Sequence, residues 1–293
     1  MTSTKKENQY NNIVLIPTDF SEVCNNAVSH GVKLAKFLGY KACILHVINK
    51  ETKAILKKKR VGDEYVTQRL REIRKYFSGK YGVEIETRAQ EGSIFTTIAE
   101  VAGEIGANLM VLGTHGKKGL QHVFGSFAMK VVEESPVPVI VVQKKAFSQG
   151  YKNIVFPVSN DLEPRQAVKW AVLMAKMFDA TIHIFQLPEK ETGLKTRLNI
   201  ITGQITEVFD QEQIRYVINT AEKARSFADD VISYSVITQS DLVMIMTRPN
   251  IDVPGFTLSA WSERLIFNDA QIPVMGVNPI EIGFHIYNWS VRN

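Results

Sequence analysis

The chain has 293 residues, 45% of them hydrophobic and 22% charged, which excludes a disordered or fibrous chain and allows two domains, each with its own core. The segment 1–12 is polar, without the apolar centre of a signal peptide, and no run reaches the ~18 apolar residues of a membrane helix, so a cytoplasmic protein without a membrane span is expected. The formal net charge of +5 is unevenly spread: residues 1–150 hold 22 Lys and Arg against 14 Asp and Glu, while residues 151–293 hold 13 against 16.

In the basic first half no nucleic-acid-reading module occurs, and aromatic residues are not interleaved with the basic ones, so nucleic acid is not expected as a partner. A small anionic ligand is compatible with the charge. The run Lys57-Lys58-Lys59-Arg60 reads as a solvated loop or helix end. Cys24 and Cys43 are the only cysteines, with no Cys-x-x-Cys spacing and no neighbouring His/Cys cluster, so they read as reduced packing residues and no metal site is expected.

In chain order the first half reads as strand 13–17, helix 21–38, strand 42–48, a helix, strand 83–88, helix 93–105, strand 108–113, helix 126–135 and strand 138–142. The unnumbered helix carries Val66, Leu70, Ile73 and Phe77 on one face at steps of four, three and four. Strands that alternate with helices imply right-handed crossovers and a parallel sheet covered on both faces, a doubly wound α/β domain. Such sheets bind ligands beyond the carboxyl ends of their strands, where the strand order reverses.

About 140 residues on, the pattern recurs. Asn12-Ile13-Val14 returns as Asn153-Ile154-Val155, Ala27-Val28 as Ala167-Val168, and Pro138 to Val142 as Pro273 to Val277. Two tandem α/β domains are therefore expected, residues 1–147 and 148–293, with the boundary near Ala146 to Gly150.

The stretch Gly113-Thr114-His115-Gly116 follows the apolar run 107–112, and Gly125-Ser126 lies eight residues further on at the start of an expected helix. Glycines permit close backbone approach and positive φ, and helix-start N–H groups favour an anion such as phosphate. The spacing is that of neither Gly-x4-Gly-Lys-Ser/Thr nor Gly-x-Gly-x-x-Gly. A chain-reversing turn is the alternative reading.

These motifs resemble the universal stress protein family: Ile16-Pro17-Thr18-Asp19, Leu45-His46-Val47, Leu112-Gly113-Thr114-His115-Gly116 with Gly125-Ser126, and Ser135-Pro136-Val137-Pro138-Val139. The two-fold repeat resembles tandem members. The resemblance implies strand order 3-2-1-4-5 in each domain. It also implies a site for ATP or another adenine nucleotide, Mg²⁺ being a candidate companion, formed by Pro17, Thr18, Asp19, Val47, Leu112, Gly113, His115, Gly116, Gly125, Ser126 and Phe127. Within it Asp19 would bond the adenosine part, Val47 would offer its backbone to adenine, and Gly113 would approach the ribose. His115 and Gly116 would lie along the phosphates, with Ser126 and Phe127 giving helix-start amides to the terminal ones. Simpler roles exist: Asp19 or Ser126 as helix caps, His46 as a strand residue packed on a helix. Eight residues separate Gly116 from Gly125 where the family pattern has nine, which weighs more on the triphosphate than on adenosine.

The second half departs further. Its first-strand exit is Pro157-Val158-Ser159-Asn160, without the aspartate, and its fourth-strand exit is Met246-Thr247-Arg248-Pro249, without the glycines. No nucleotide is expected there by the family mode. Its last strand is expected to pair beside the last strand of the first half, and a homodimer is expected. The functional expectation is a non-enzymatic, nucleotide-binding stress regulator acting on a protein partner. The alternatives are a slow ATPase or self-phosphorylating protein, and a scaffold or apolar-ligand binder.

Overall fold

The computed structural model describes residues 11–114, 122–148, 150–159, 165–222, 226–247 and 260–278, and only the backbone at 122–126, 165–166 and 260–261. The first half runs β1 (Ile13–Pro17), α1 (Glu22–Leu38), β2 (Lys41–Ile48), α2 (Lys50–Lys59), α3 (Glu64–Tyr81), β3 (Ile85–Glu91), α4 (Ile94–Glu104), β4 (Leu109–Gly113), α5 (His122–Glu134) and β5 (Val139–Val142). The second runs β6 (Asn153–Val158), α6 (Arg165–Phe178), β7 (Thr181–Gln186), α7 (Thr192–Gln211), β8 (Arg215–Thr220), α8 (Phe227–Ile237), β9 (Leu242–Met246), α9 (Ala260–Ile266) and β10 (Val274–Val277).

Local chemistry sets these elements. All five residues of β1 are buried, the continuous apolar run of a strand covered on both faces. Ser21 caps α1 by accepting from the Cys24 N–H, and Gly39 closes the helix in the left-handed conformation at φ 68°. The Lys57–Arg60 run belongs to a helix end: three lysines fill the last turn of α2, where cations suit the helix dipole, and Arg60 takes the left-handed cap at φ 57°. The apolar face read on the following helix packs as expected, with Val66, Leu70 and Phe77 buried in α3.

One ten-stranded sheet results, in the order β3-β2-β1-β4-β5-β10-β9-β6-β7-β8. Each half has the order 3-2-1-4-5 with parallel neighbours. The two halves join through one antiparallel pair, β5 with β10, in which Val139 faces Gly276 and Val141 faces Val274. The expected pairing of last strands is therefore present within the chain. Alternate residues along β1 feed two cores: Val14 and Ile16 pack with α1, α3, α6 and α7, while Ile13 and Leu15 pack with α4, α5, α8 and α9. Each core crosses from one half to the other.

The seam is held by more than the strands. Asn278, just past β10, donates from its side-chain amide to the carbonyls at the end of α5, Val132 at 2.7 Å and Ser135 at 2.8 Å. Gln143, just past β5, donates from its Nε2 to the Asn268 carbonyl beyond α9 at 2.9 Å. In the connection after β5, Phe147 and Tyr151 are buried, and the Tyr151 hydroxyl lies 2.5 Å from His30 Nε2 on α1. Burial, with Lys33 nearby, pushes the His30 imidazole down to about 3.

Candidate functional site

The strand order of the first half reverses between β1 and β4, because β1 pairs on one side with β2 and on the other with β4. A cavity of about 690 Å³ opens there, beyond the carboxyl ends of these strands. Pro17, Thr18 and Asp19 leave β1 into it, Val47 lies on the β2 side, Leu112 and Gly113 end β4, and Phe127 projects from α5. Seven of the expected site residues thus line one cavity. His115 and Gly116 lie outside the described residues.

The turn after β1 is fastened by its own side chains. The Thr18 N–H donates to the Leu45 carbonyl at 2.8 Å, the Phe20 N–H to Thr18 Oγ1 at 3.1 Å, and the Ser21 N–H to Asp19 Oδ1 at 2.8 Å. Phe20 is held at φ 66°, a conformation uncommon for a bulky residue that these bonds hold in place. Ser21, two residues further than Asp19, is the cap of α1. Asp19 itself stands at the cavity wall, and its charge reinforces burial in raising the Cys24 thiol to about 12. That thiol stays protonated and is no nucleophile.

His46 does more than pack in a strand. Its ring stacks on Phe20 at 4.4 Å and 11°. Nδ1 lies 2.8 Å from the Thr18 carbonyl, which fixes the proton on that nitrogen, and Nε2 lies 3.1 Å from Thr52 Oγ1. Burial lowers its pKa below the ordinary histidine value, against the Thr18 bond and the Asp19 charge, which favour the cation. A neutral imidazole thus ties β1, β2 and α2 together beneath the cavity. The Val47 carbonyl accepts from the Asn49 N–H at 3.0 Å, and Thr52 Oγ1, whose proton serves His46 Nε2, lies 3.4 Å from it.

Gly113 has a reason besides a ligand. A Cβ there would lie 3.1 Å from both Ala27 Cβ and the Val23 carbonyl and 3.3 Å from Cys24 Cα. The glycine lets β4 meet α1 closely, and so sets the depth of the cavity floor. Next to it Thr114 is buried with its hydroxyl unpartnered among the described residues, whereas the hydroxyl of Thr247, its counterpart after β9, bonds Asn278 Oδ1 and lies 3.1 Å from the Val277 carbonyl. Both threonines hold the same backbone bond, Thr114 N–H to Val142 O and Thr247 N–H to Val277 O, each at 2.9 Å.

The helix after β4 starts four residues before its expected position. It begins at His122, so Gly125 and Ser126 lie within its first turns. In an α-helix only the first four N–H groups lack an internal partner. Counted from the position before His122, these end at Phe124, so the amides of Gly125, Ser126 and Phe127 fall inside the helix's own bonding. Val123 and Phe124 carry the apolar run upstream past Gly125, whose cost in a helix, about 1 kcal/mol against Ala, is too small to stop it.

Sequence reasoning missed the outer wall. Lys59, at the end of α2, sits 4.6 Å over the Tyr65 ring with Nζ 2.8 Å from its hydroxyl, and Arg69 of α3 lies 5.8 Å from the Phe20 ring. All line the cavity together with Ile55, Leu56 and Val66. The only signal was the Lys57–Arg60 run, whose helix places Lys59 toward the site. Among the described residues, no cluster of three or more His, Cys, Asp or Glu is placed to hold a metal ion. No described helix is long and apolar enough to cross a membrane.

Comparison with known proteins agrees with this geometry. Residues 11–143 match the model of the universal stress protein family. A universal stress protein of Methanocaldococcus jannaschii is 32% identical over 146 residues, covering 47% of this chain and 85% of that protein. A second from the same organism is 24% identical over 156 residues, covering 45% and 94%. Among solved structures, a universal stress protein from Archaeoglobus fulgidus is similar in fold over 92% of this chain and 98% of that one, with a TM-score of 0.72 at 19% identity. A putative universal stress protein from Pseudomonas aeruginosa is similar over 92% and 93%, with a TM-score of 0.57 at 15% identity. With a motif-bearing first half, a second half of the same strand order and a relative of this identity covered nearly to its full length, the chain belongs to the universal stress protein family as a tandem member.

Proposed function

We propose that this chain is a non-enzymatic regulator of the stress response that binds an adenine nucleotide, ATP in the first place, in its N-terminal unit. The cavity at the β1/β4 switch point carries the reading: it gathers Pro17, Thr18, Asp19, Val47, Leu112, Gly113 and Phe127 around one space. Its volume of about 690 Å³ suits a small-molecule ligand. The apolar surfaces of Leu112 and Phe127 suit a base and sugar. Asp19 suits hydroxyl donors, and the helix-start amides of α5, just ahead of Gly125, suit phosphate oxygens. His115, Gly116 and Ser126 complete the proposed set by their place in the motif, and Mg²⁺ would accompany the phosphates as a counter-ion held by the nucleotide and water.

In this reading residues 1–147 form the nucleotide-binding unit, and residues 148–293 have given up the site and serve as its structural partner. Occupancy would change how the protein, a cytoplasmic homodimer, meets a protein partner. Isothermal titration with ATP, with and without Mg²⁺, tests it. One-to-one binding, lost in Gly116→Glu, is the expected result; no heat with any adenine nucleotide at about millimolar concentration would remove the reading.

A further inference from the structure

α2 does little for the core of the first half. Of its ten residues only Leu56 is buried, and a helix of that length has little stability of its own in water. The second half crosses from β7 to β8 with the single helix α7, whereas the first half places both α2 and α3 between β2 and β3. The additional helix belongs to the half that has the cavity. It turns one ridge toward that space, Glu51, Ile55 and Lys59 at steps of four, and Ile55 stands there 53% exposed.

The ridge ends in a cation that is held in place. The Lys59 ammonium donates to the Tyr65 hydroxyl at 2.8 Å, and no carboxylate pairs with it among the described residues. One turn along α3 from Tyr65, the Arg69 guanidinium lies over the Phe20 ring, which itself stacks on His46. The ion pair of Arg69 with Glu72, at 3.2 Å, is of the exposed i,i+3 kind that is worth little.

These two cations stand apart from the α5 end of the cavity. Leu56 and Val66 pack in the core on one face of the sheet, Ala128 and Val131 of α5 in the core on the other. α2 follows β2, α5 follows β4, and β1 lies between those strands. Two strand spacings amount to about 10 Å. A phosphate held at the start of α5 therefore leaves Lys59 and Arg69 without an anion.

We propose that Lys59 and Arg69 form a second anion subsite, so that the ligand of this cavity is an adenine nucleotide carrying a further phosphoryl group away from its 5′ chain. The inference rests on the nucleotide reading of the cavity. In that reading the phosphates lie toward α5 and Val47, at the end of the strand from which α2 departs, borders the adenine, so the α2 wall meets the nucleoside end of the ligand. Phosphoryl oxygens there accept charge-assisted bonds from an ammonium and a planar guanidinium, beside the apolar surface of Ile55. Two chemical forms supply the group: a phosphate on the ribose, or a second nucleotide joined through a phosphodiester.

Isothermal titration of the full chain with AMP, adenosine 3′,5′-bisphosphate and the linear dinucleotide pApA tests the subsite and separates the two forms. One of the last two is expected to bind about tenfold or more tightly than AMP, the bisphosphate where the ribose carries the group and pApA alone where a second nucleotide does. In the double variant Lys59→Gln, Arg69→Gln the advantage over AMP is expected to fall to about twofold or less, while Lys59→Arg keeps it. A second measure needs no variant: the advantage in the wild type is expected to shrink as salt rises from about 0.05 to 0.5 M. Equal affinity for all three ligands, or an advantage that survives both the double variant and the salt, overturns the subsite and leaves the nucleotide reading standing. No binding of AMP, ATP or either probe removes the nucleotide reading itself, and the subsite with it.

Discussion

The side-chain amide of Asn278 donates to the backbone carbonyl of Val132 at 2.7 Å, joining residues 146 positions apart. The same amide is shared with Glu133 and Ser135 at the end of α5. An end of a helix in the first half is thus capped by the residue that follows the last strand of the second. Asn278→Leu leaves those carbonyls without their donor and is expected to cost about 1–3 kcal/mol, read as a lower midpoint in urea unfolding. Gln143→Leu, which removes the reciprocal bond to Asn268, is expected to act in the same direction.

At Gly113 the expectation concerns packing. The added methyl of Gly113→Ala meets the Val23 carbonyl, which is backbone and cannot swing aside. Destabilisation of about 1–3 kcal/mol is expected even without ligand. Thermal unfolding of the ligand-free protein checks this; an unchanged melting temperature would mean that β4 and α1 are not in close contact.

Thr114 and Thr247 predict opposite outcomes for the same substitution. Thr247→Val leaves Asn278 Oδ1 without its hydroxyl donor, while the Val277 carbonyl keeps the Thr247 N–H, and is expected to cost about 1 kcal/mol. Thr114→Val removes a buried hydroxyl that has no partner among the described residues, and stability is expected to stay level or rise. Unfolding of the two variants side by side measures the asymmetry.

His30 predicts a pH dependence. Its folded-state pKa is lowered from 6.5 to about 3 by burial and by Lys33, so the unfolded chain binds the proton more readily. The stability it contributes is present in full above pH 6.5 and is lost as pH falls from there toward 3. Over that window it adds a slope of up to about 1.4 kcal/mol per pH unit. His30→Gln retains a polar partner for Tyr151 but does not titrate, and a urea series from about pH 7 to 4 is expected to show a shallower acid loss.

Periodicity and repetition revealed most of the architecture, because strand order in a doubly wound sheet follows from alternation and crossover handedness. The repeat of Asn12-Ile13-Val14 at Asn153 exposed the second unit, and the proline-led strands at Pro138 and Pro273 exposed the seam. Boundaries were less legible. α2 escaped because its ten residues bury only Leu56 and so show no apolar face. The start of α5 slipped by a turn, since Gly125 reads as a helix boundary although nothing prevents helix on both sides of it.

In the site, the motif residues on strand ends were legible because the topology brings strand ends together. Lys59, Tyr65 and Arg69 were not, since their approach to the cavity depends on where α2 and α3 lie over the sheet. Gly113 was noticed for its freedom near a ligand, but its contact with Ala27 and Val23 belongs to tertiary packing that no local pattern encodes. Nor could the sequence say that His46 would stack on Phe20, because that needs the left-handed turn at Phe20.

The antiparallel β5–β10 ladder has a consequence for how the molecule behaves when scarce. Two separate α/β units that met through such strands would part on dilution, and their pairing would follow their abundance. Covalent succession makes the encounter intramolecular, so the ten-stranded platform persists at any cellular copy number. Selection on the second unit can then relax at its ligand pocket while it keeps the strand, Asn278 and the helix end that the first unit needs for company.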